Sequence, residues 1–289
     1  MKIASTIEEV RKYIIEWKKE GFSVGLVPTM GYLHEGHESL IKKSASDNDK
    51  TVVSVFLNPI QFGKNEDLDT YPSDIDRDLN KCKNCGADLI FTPQVSEMYF
   101  NDFCTYVNVD NLTKGLCGAK RPGHFKGVCT IVSKLFNIVT PDKAYFGQKD
   151  AQQLAVIKRM VRDLNFNIKI IGCPIVREED GLAKSSRNSY LSSEERKASL
   201  ILYKSLMKAK KLFEKNEFDS NKIKQNIIEV INTEPLAKID YVEIVDNTSL
   251  KPVNEIKNST LIALAVYIGK TRLIDNIILG GKKNELAHA

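Results

Sequence analysis

Between residues 22 and 164, short apolar runs rich in β-branched side chains alternate with stretches of helical period, and this alternation confines the chain to a parallel sheet covered by helices. The runs at 22–27 and 51–57 are nearly continuous in apolar residues, as expected of strands buried on both faces. Between them, 38–46 has helical spacing, giving a β-α-β unit. Upstream, Thr6 and Glu9 form a capping-box pattern, Val10, Ile14 and Trp17 follow on one helical face, and Gly21 is placed to stop the helix. Downstream, Ser73 with Asp76 predicts a helix ending near Gly86, and a strand follows at 88–91. Helices at 127–139 and 151–164 then flank a strand at 144–146. The expected fold class is α/β, a doubly wound, Rossmann-like parallel sheet.

Past Pro174 the pattern changes to two Lys- and Glu-rich amphipathic helices, 193–216 and 221–232, followed by strand-like runs at 241–245 and 261–267. A chain of 289 residues is long enough for two domains. The expected division is a Rossmann-like nucleotide- and substrate-binding domain over 1–174 and a smaller C-terminal α+β lid domain over 175–289. No long Gly/Ser linker separates them, so they are expected to touch.

The 42 basic and 37 acidic residues leave a net charge of only +5, and basic runs such as Lys208, Lys210 and Lys211 read as a solvated helix face. This argues against nucleic acid as a partner, since its binders gather Lys and Arg into a stripe or tail. No apolar run reaches the roughly 18 residues of a membrane helix, and charges interrupt the N-terminal stretch throughout, so a cytoplasmic protein with no membrane partner is expected. The six cysteines then read as reduced thiols. Cys82 and Cys85 form a single CxxC pair with no second pair or nearby histidines, which favours two thiols at a helix end over a zinc site.

Candidate functional residues fall where strands hand over to helices. Met30, Gly31, Tyr32, Leu33, His34, Glu35, Gly36 and His37 follow the first strand and enter a helix, at the sheet edge where ligands bind in such folds. Two of the chain's four histidines face one space there, Gly36 lets an anion approach the backbone, and the helix N-terminus offers free N–H groups. The turn suits a polyphosphate. Gly147, Gln148, Lys149 and Asp150, with Gln152 and Gln153, form a second junction, where Lys149 is either a phosphate ligand or a solvated cation. Lys184, Ser185, Ser186 and Arg187 lie in a loop opened by Gly181, which reads either as a lid over phosphates or as a capped turn. Asn58 and Gln61 sit after the second strand; a neutral amide there suits a hydroxy acid, with a structural Asn58-Pro59 turn as the competing reading. Arg121 is a candidate for an anionic substrate, and His124 is either a cap or a ligand.

In their order along the chain, PTMGYLHEGH, NPIQF, YPSDIDRD, RPGHFKGV, FGQKDAQQL and DGLAKSSRNSYL resemble the pantothenate synthetase family, within the HxGH nucleotidyltransferase superfamily. The resemblance implies ATP-dependent condensation of pantoate with β-alanine to pantothenate, AMP and pyrophosphate through a pantoyl-adenylate. It also implies Mg2+ with the ATP, and a homodimer. Carried over by position, Met30 to His37 border the nucleotide, with His34 and His37 on its phosphates. Gly147 to Asp150 hold adenosine and phosphate, Val176 touches the adenine side, and Lys184 to Arg187 complete the phosphate clamp. The catalytic groups implied are His34, His37, Lys149, Ser185 and Arg187, while Gln61 and Gln153 hold pantoate and Gln61 also serves β-alanine. Lys184 departs from the family, which usually places Met or Leu there. Two rivals remain: another HxGH nucleotidyltransferase with a phosphorylated acceptor, against which the neutral Gln61 and Gln153 argue, and a non-catalytic nucleotide or RNA module.

Overall fold

A computed structural model describes residues 1–64 and 66–281. The chain runs β1 (Lys2–Ala4), α1 (Ile7–Lys19), β2 (Val24–Thr29), α2 (Glu35–Asp47), β3 (Lys50–Val55), α3 (Ile75–Asn84) and β4 (Leu89–Phe91). It continues through α4 (Val95–Met98), α5 (Leu116–Lys120), α6 (His124–Val139), β5 (Lys143–Gly147), α7 (Ala151–Asp163) and β6 (Lys169–Cys173). The C-terminal part holds α8 (Ser193–Ala198), α9 (Leu200–Glu214), α10 (Ser220–Ile231), β7 (Ala237–Asp246), β8 (Thr260–Ile268) and β9 (Thr271–Leu279).

The first six strands form one parallel sheet in the order β1-β4-β3-β2-β5-β6. From β2 the chain winds one way through β3 and β4, then returns to place β5 on the other side of β2. The switch point therefore lies between β2 and β5, and their carboxyl ends carry the histidine turn and the Gly147 junction. Helices α1 and α6 cover one face, where Phe136, Leu26, Leu89 and Ile157 are essentially inaccessible. On the other face α2 and α3 enclose Leu33, Ile41, Ile90 and Tyr145. Burying each such side chain stabilises the fold by about 1.5–3 kcal/mol.

The C-terminal sheet is antiparallel, β7-β8-β9, and packs its inner face on α9 and α10 through Leu206, Ile223, Ile227 and Leu264. The α/β class and the α+β character of the smaller part are as expected. Several local features differ. Asp74, not Ser73, caps α3, accepting from the Arg77 N–H at 3.1 Å. The helix expected over 193–216 is divided at Ser199, whose buried hydroxyl donates to the Arg196 carbonyl at 2.7 Å and tightens the backbone there. Strands β1, β6 and β9 carry little sequence signal: β1 is three residues long, and β6 and β9 mix charged or polar residues into their apolar runs.

Arg177, just beyond β6, makes a two-pronged pair with Asp275 of β9, at 2.7 and 2.9 Å. Its neighbour Asn276 donates its amide to the carbonyls of Gln148 and Lys149, at 3.0 and 2.8 Å. The antiparallel sheet thus holds the Gly147 junction in place through backbone acceptors, leaving the Lys149 side chain uncommitted to that contact.

Candidate active site

The histidine turn builds its own helix cap. His34 is the N-cap of α2, its Nδ1 accepting from the Gly36 N–H at 3.1 Å, while its own N–H donates to His37 Nδ1 at 3.3 Å. This is a capping box made of two imidazoles in place of Ser and Glu. Gly36 is required by packing: a Cβ there would stand 2.7 Å from His34 Cε1. Because both Nδ1 atoms accept, both rings carry their proton on Nε2, so each presents an N–H donor on the side away from the turn.

The ring centroids are 4.1 Å apart with their planes tilted by 40°, and neither holds a second proton easily. Burial, then the His37 ring and the charges of Lys149 and Lys184, push His34 down to about 2. Burial also lowers His37, to about 4; Asp150 opposes this and Lys149 reinforces it. Both are neutral donors at pH 7, and the Lys149 charge acts on both.

Behind the turn, Gly31 and Tyr32 lie in the left-handed region at φ 87° and 50°. Asp78 of α3 accepts from the N–H groups of Tyr32 and Leu33, both at 2.7 Å. In front, the Lys184 ammonium is 3.3 Å from Glu35, tying the 184–187 loop to the start of α2. Ser186 donates to the Tyr32 carbonyl at 3.3 Å, Ser185 accepts from the Arg187 N–H, and the Lys184 N–H bonds to the Val176 carbonyl at 3.0 Å. These links hold the loop and Val176 close to the histidine turn.

A cavity of ≈ 1030 Å³ opens between the two sheets, large enough for a nucleotide with a small acid. Lys149, Asp150, Gln153, Ser185, Arg187 and Arg121 line it. Met30, His34, His37, Asn58 and Gln61 do not; of the cavity's charged groups, Lys149 acts on both histidines and Asp150 on His37. Asp150 also acts on Arg187, and Lys149, Asp150 and Arg187 all lie on the cavity wall. Gln152 also lines the cavity but is largely buried, its amide engaged by the carbonyls of Leu112 and Gly115 and by the Gly118 N–H.

All three arginines that line the cavity are already paired, Arg272 with Asp240 at 3.0 and 2.8 Å. Arg187 makes two hydrogen bonds to Asp67, at 2.9 and 2.7 Å, with the Tyr190 hydroxyl on the same carboxylate at 3.3 Å. Burial raises the Asp67 carboxyl, but the bonds and charge of Arg187 more than offset this and hold it below the usual range. Arg121 is gripped by Glu66 at 2.6 and 2.5 Å and so offers no free guanidinium to the cavity. His124 is not the cap of α6, a place Gly123 takes, and both of its ring nitrogens have partners within the protein. Its Nε2 faces the Arg121 Nη1 at 3.1 Å, and since an arginine only donates, the proton must sit on Nδ1, which donates to the Gln61 carbonyl at 2.9 Å. Burial and then the Arg121 charge push His124 down to about 4.

Gln61 is 8% exposed, its Oε1 accepting from Asn58 at 2.9 Å and its Nε2 against the Met30 sulfur at 3.1 Å. Asn58 is fully occupied, donating also to the Gly127 carbonyl and accepting from the Tyr99 hydroxyl at 2.7 Å. Its amide therefore orients Gln61 and does not reach the cavity. Sequence reasoning missed Asp78, Glu66, Asp67 and Asn276. Only Asp78 carried a signal, its place in YPSDIDRD.

The family model described as pantoate-beta-alanine ligase matches residues 2–278. Pantothenate synthetase from Clostridium acetobutylicum is 64% identical over 96% of this chain and 98% of its own length, and that from Enterococcus faecalis is 63% identical over the same shares. Among solved structures, pantothenate synthetase from Thermus thermophilus superposes with a TM-score of 0.92 at 43% identity, covering 96% of this chain and 99% of that one. Pantoate-beta-alanine ligase from Francisella tularensis, solved with beta-gamma ATP and beta-alanine, gives 0.79 at 35% identity, covering 96% and 97%. The chain belongs to the pantoate-beta-alanine ligase family.

Proposed function

We propose that this protein joins pantoate to β-alanine at the expense of ATP, releasing AMP and pyrophosphate through a pantoyl-adenylate. The observation that carries this reading is the pair of neutral imidazoles that cap α2 at the switch point of the sheet, both acted on by the charge of Lys149, which lines the cavity with Arg187. Attack of a carboxylate on the α-phosphate builds negative charge on phosphate oxygens, so catalysis requires in-line placement and preorganised donors. His34 and His37 supply uncharged N–H donors, Lys149 a fixed charge, and Ser185 a hydroxyl. Arg187 supplies a fork that exchanges Asp67 for phosphate.

Gln61, fixed by Asn58 and Met30, and Gln153 on the cavity wall would hold the pantoate hydroxyls and carboxylate, with Gln61 also serving β-alanine. Met30 to His37, Gly147 to Asp150 and Val176 border the nucleotide, and Lys184 to Ser186 close over it. An anionic substrate reaching Arg121 must displace Glu66. Magnesium would enter with the triphosphate. Asp150 fits it as a hard oxygen donor whose carboxylate has no hydrogen bond among the described residues, and the ion would neutralise phosphate charge.

In this reading residues 175–289 act as a lid on 1–174, and the enzyme works as a cytoplasmic homodimer, as the resemblance implies; no helix among the described residues is long and apolar enough to cross a membrane. The test is AMP release with pantoate and β-alanine each omitted in turn. The proposal expects release to need both; turnover without pantoate, or onto a phosphorylated acceptor, would refute it.

A further inference from the structure

We infer that Asp78 is a positioning residue that sets the histidine turn for phosphate binding, an inference that rests on the function proposed above. Asp78 is 1% exposed, and each of its carboxylate oxygens receives one backbone N–H, Tyr32 on Oδ2 and Leu33 on Oδ1, both at 2.7 Å. Two successive left-handed residues, Gly31 and Tyr32, point those N–H groups at one spot. Such a concavity of backbone donors ordinarily receives an anion from solution. Here the protein fills it with its own carboxylate, so the nucleotide's phosphates are directed one step onward, to the imidazole donors and the start of α2.

The fit is close. A Cβ on Gly31 would stand 3.1 Å from Asp78 Oδ2 and 3.1 Å from Val55 Cγ1, so both the glycine and the carboxylate are specified. Arg77, next to Asp78 on α3, lies over the Tyr32 ring at 4.7 Å and holds the same turn from outside. Leu33 is fully buried, and the next residue is His34. The direction in which the chain leaves Leu33 therefore decides where both imidazoles sit, although Asp78 itself touches neither ring nor ligand.

Asp78→Asn is nearly the same shape but keeps one acceptor oxygen; its NH2 group faces an N–H donor it cannot satisfy. We expect kcat/KM for ATP to fall about a hundredfold, as when one oriented donor is lost from a site, while KM for β-alanine stays within about threefold. Asp78→Glu, with both oxygens, is expected to recover part of the loss. Val156→Ala, in the core away from the turn, serves as a variant destabilised for unrelated reasons and should keep kcat/KM for ATP.

The independent readout is 15N NMR of the histidines. Wild type should show His34 and His37 protonated at Nε2 alone, and Asp78→Asn should shift both. Wild-type kcat/KM for ATP in Asp78→Asn, or unmoved histidine signals, overturns the inference, as does a loss matched in Val156→Ala. Should Asp78→Asn not fold, Asp78→Glu decides on the same two readouts. Wild type that fails to form the amide overturns the proposed function, while the histidine signals still decide the role of Asp78.

Discussion

Replacing Lys149 with Ala should abolish most adenylate formation and leave the fold intact. The side chain of Lys149 lines the cavity and makes no hydrogen bond or salt bridge among the described residues. What the structure uses is its carbonyl, which accepts from Asn276 at 2.8 Å, and alanine keeps that acceptor. Stability should therefore change by no more than about 0.5 kcal/mol, as for a substitution away from structural features. The charge is a different matter. Two unit charges about 4 Å apart interact by about 4 kcal/mol at an effective dielectric near 20. Losing most of that against a phosphate in the transition state lowers the rate by two to three orders of magnitude, roughly the loss from removing an oriented donor. The assay is pantoate-dependent pyrophosphate release in a single turnover, with the melting temperature measured in parallel. Because Lys149 is among the charges that lower His34 and His37, both rings should also become easier to protonate in the variant. An unchanged rate of pyrophosphate release would refute the role of Lys149, as would a loss wholly explained by unfolding.

Asp67→Asn removes the carboxylate that competes with phosphate for Arg187. A charged hydrogen-bonded pair contributes about 1.5–3 kcal/mol, so KM for ATP should fall about tenfold in steady-state assays, whereas a rise would show that Asp67 assists binding. Acid stability should follow His124, which is buried and lowered from 6.5 to about 4. The unfolded chain takes up a proton there that the folded protein refuses. The His124 contribution is therefore complete above 6.5 and declines as pH falls toward 4, by about 3 kcal/mol. Chemical denaturation across that range should show the slope, to which His34 and His37 add with the same sign, and His124→Gln should remove only the His124 share of it. Asp275→Asn breaks the pair with Arg177 at a site only 3% exposed and should cost about 3–5 kcal/mol in denaturation midpoint experiments. A loss below about 1 kcal/mol would show that β9 is not held by this pair.

What could be read from the sequence is what short-range rules govern. The capping box at Thr6 is present as written, with both of its reciprocal bonds. The histidine turn was legible because strand, glycine and helix start lie within a dozen residues and follow one another at the sheet edge. The partners of that turn were not legible. Asp78 is 45 residues from Leu33, and Asp67 is 120 residues from Arg187. Nothing local marks a carboxylate as the one that will fill a nest or hold an arginine, because both outcomes depend on how the sheet is wound. Asn58 shows the same limit from the other side. Its amide suits a hydroxy acid in isolation, yet the fold surrounds it with Gln61, Gly127 and Tyr99 and leaves no polar atom free. Strand β9 escaped notice because Asp275 and Asn276, in the middle of its apolar run, break the alternation, and they do so to reach Arg177 and the Lys149 carbonyl.

The central claim is that the acid attacks the α-phosphate of ATP. Pantoate labelled with 18O in its carboxylate tests this directly by mass spectrometry of the products. The account predicts one label in AMP for each amide formed. Label appearing in inorganic phosphate with ADP as the nucleotide product, or AMP with no label, would contradict it.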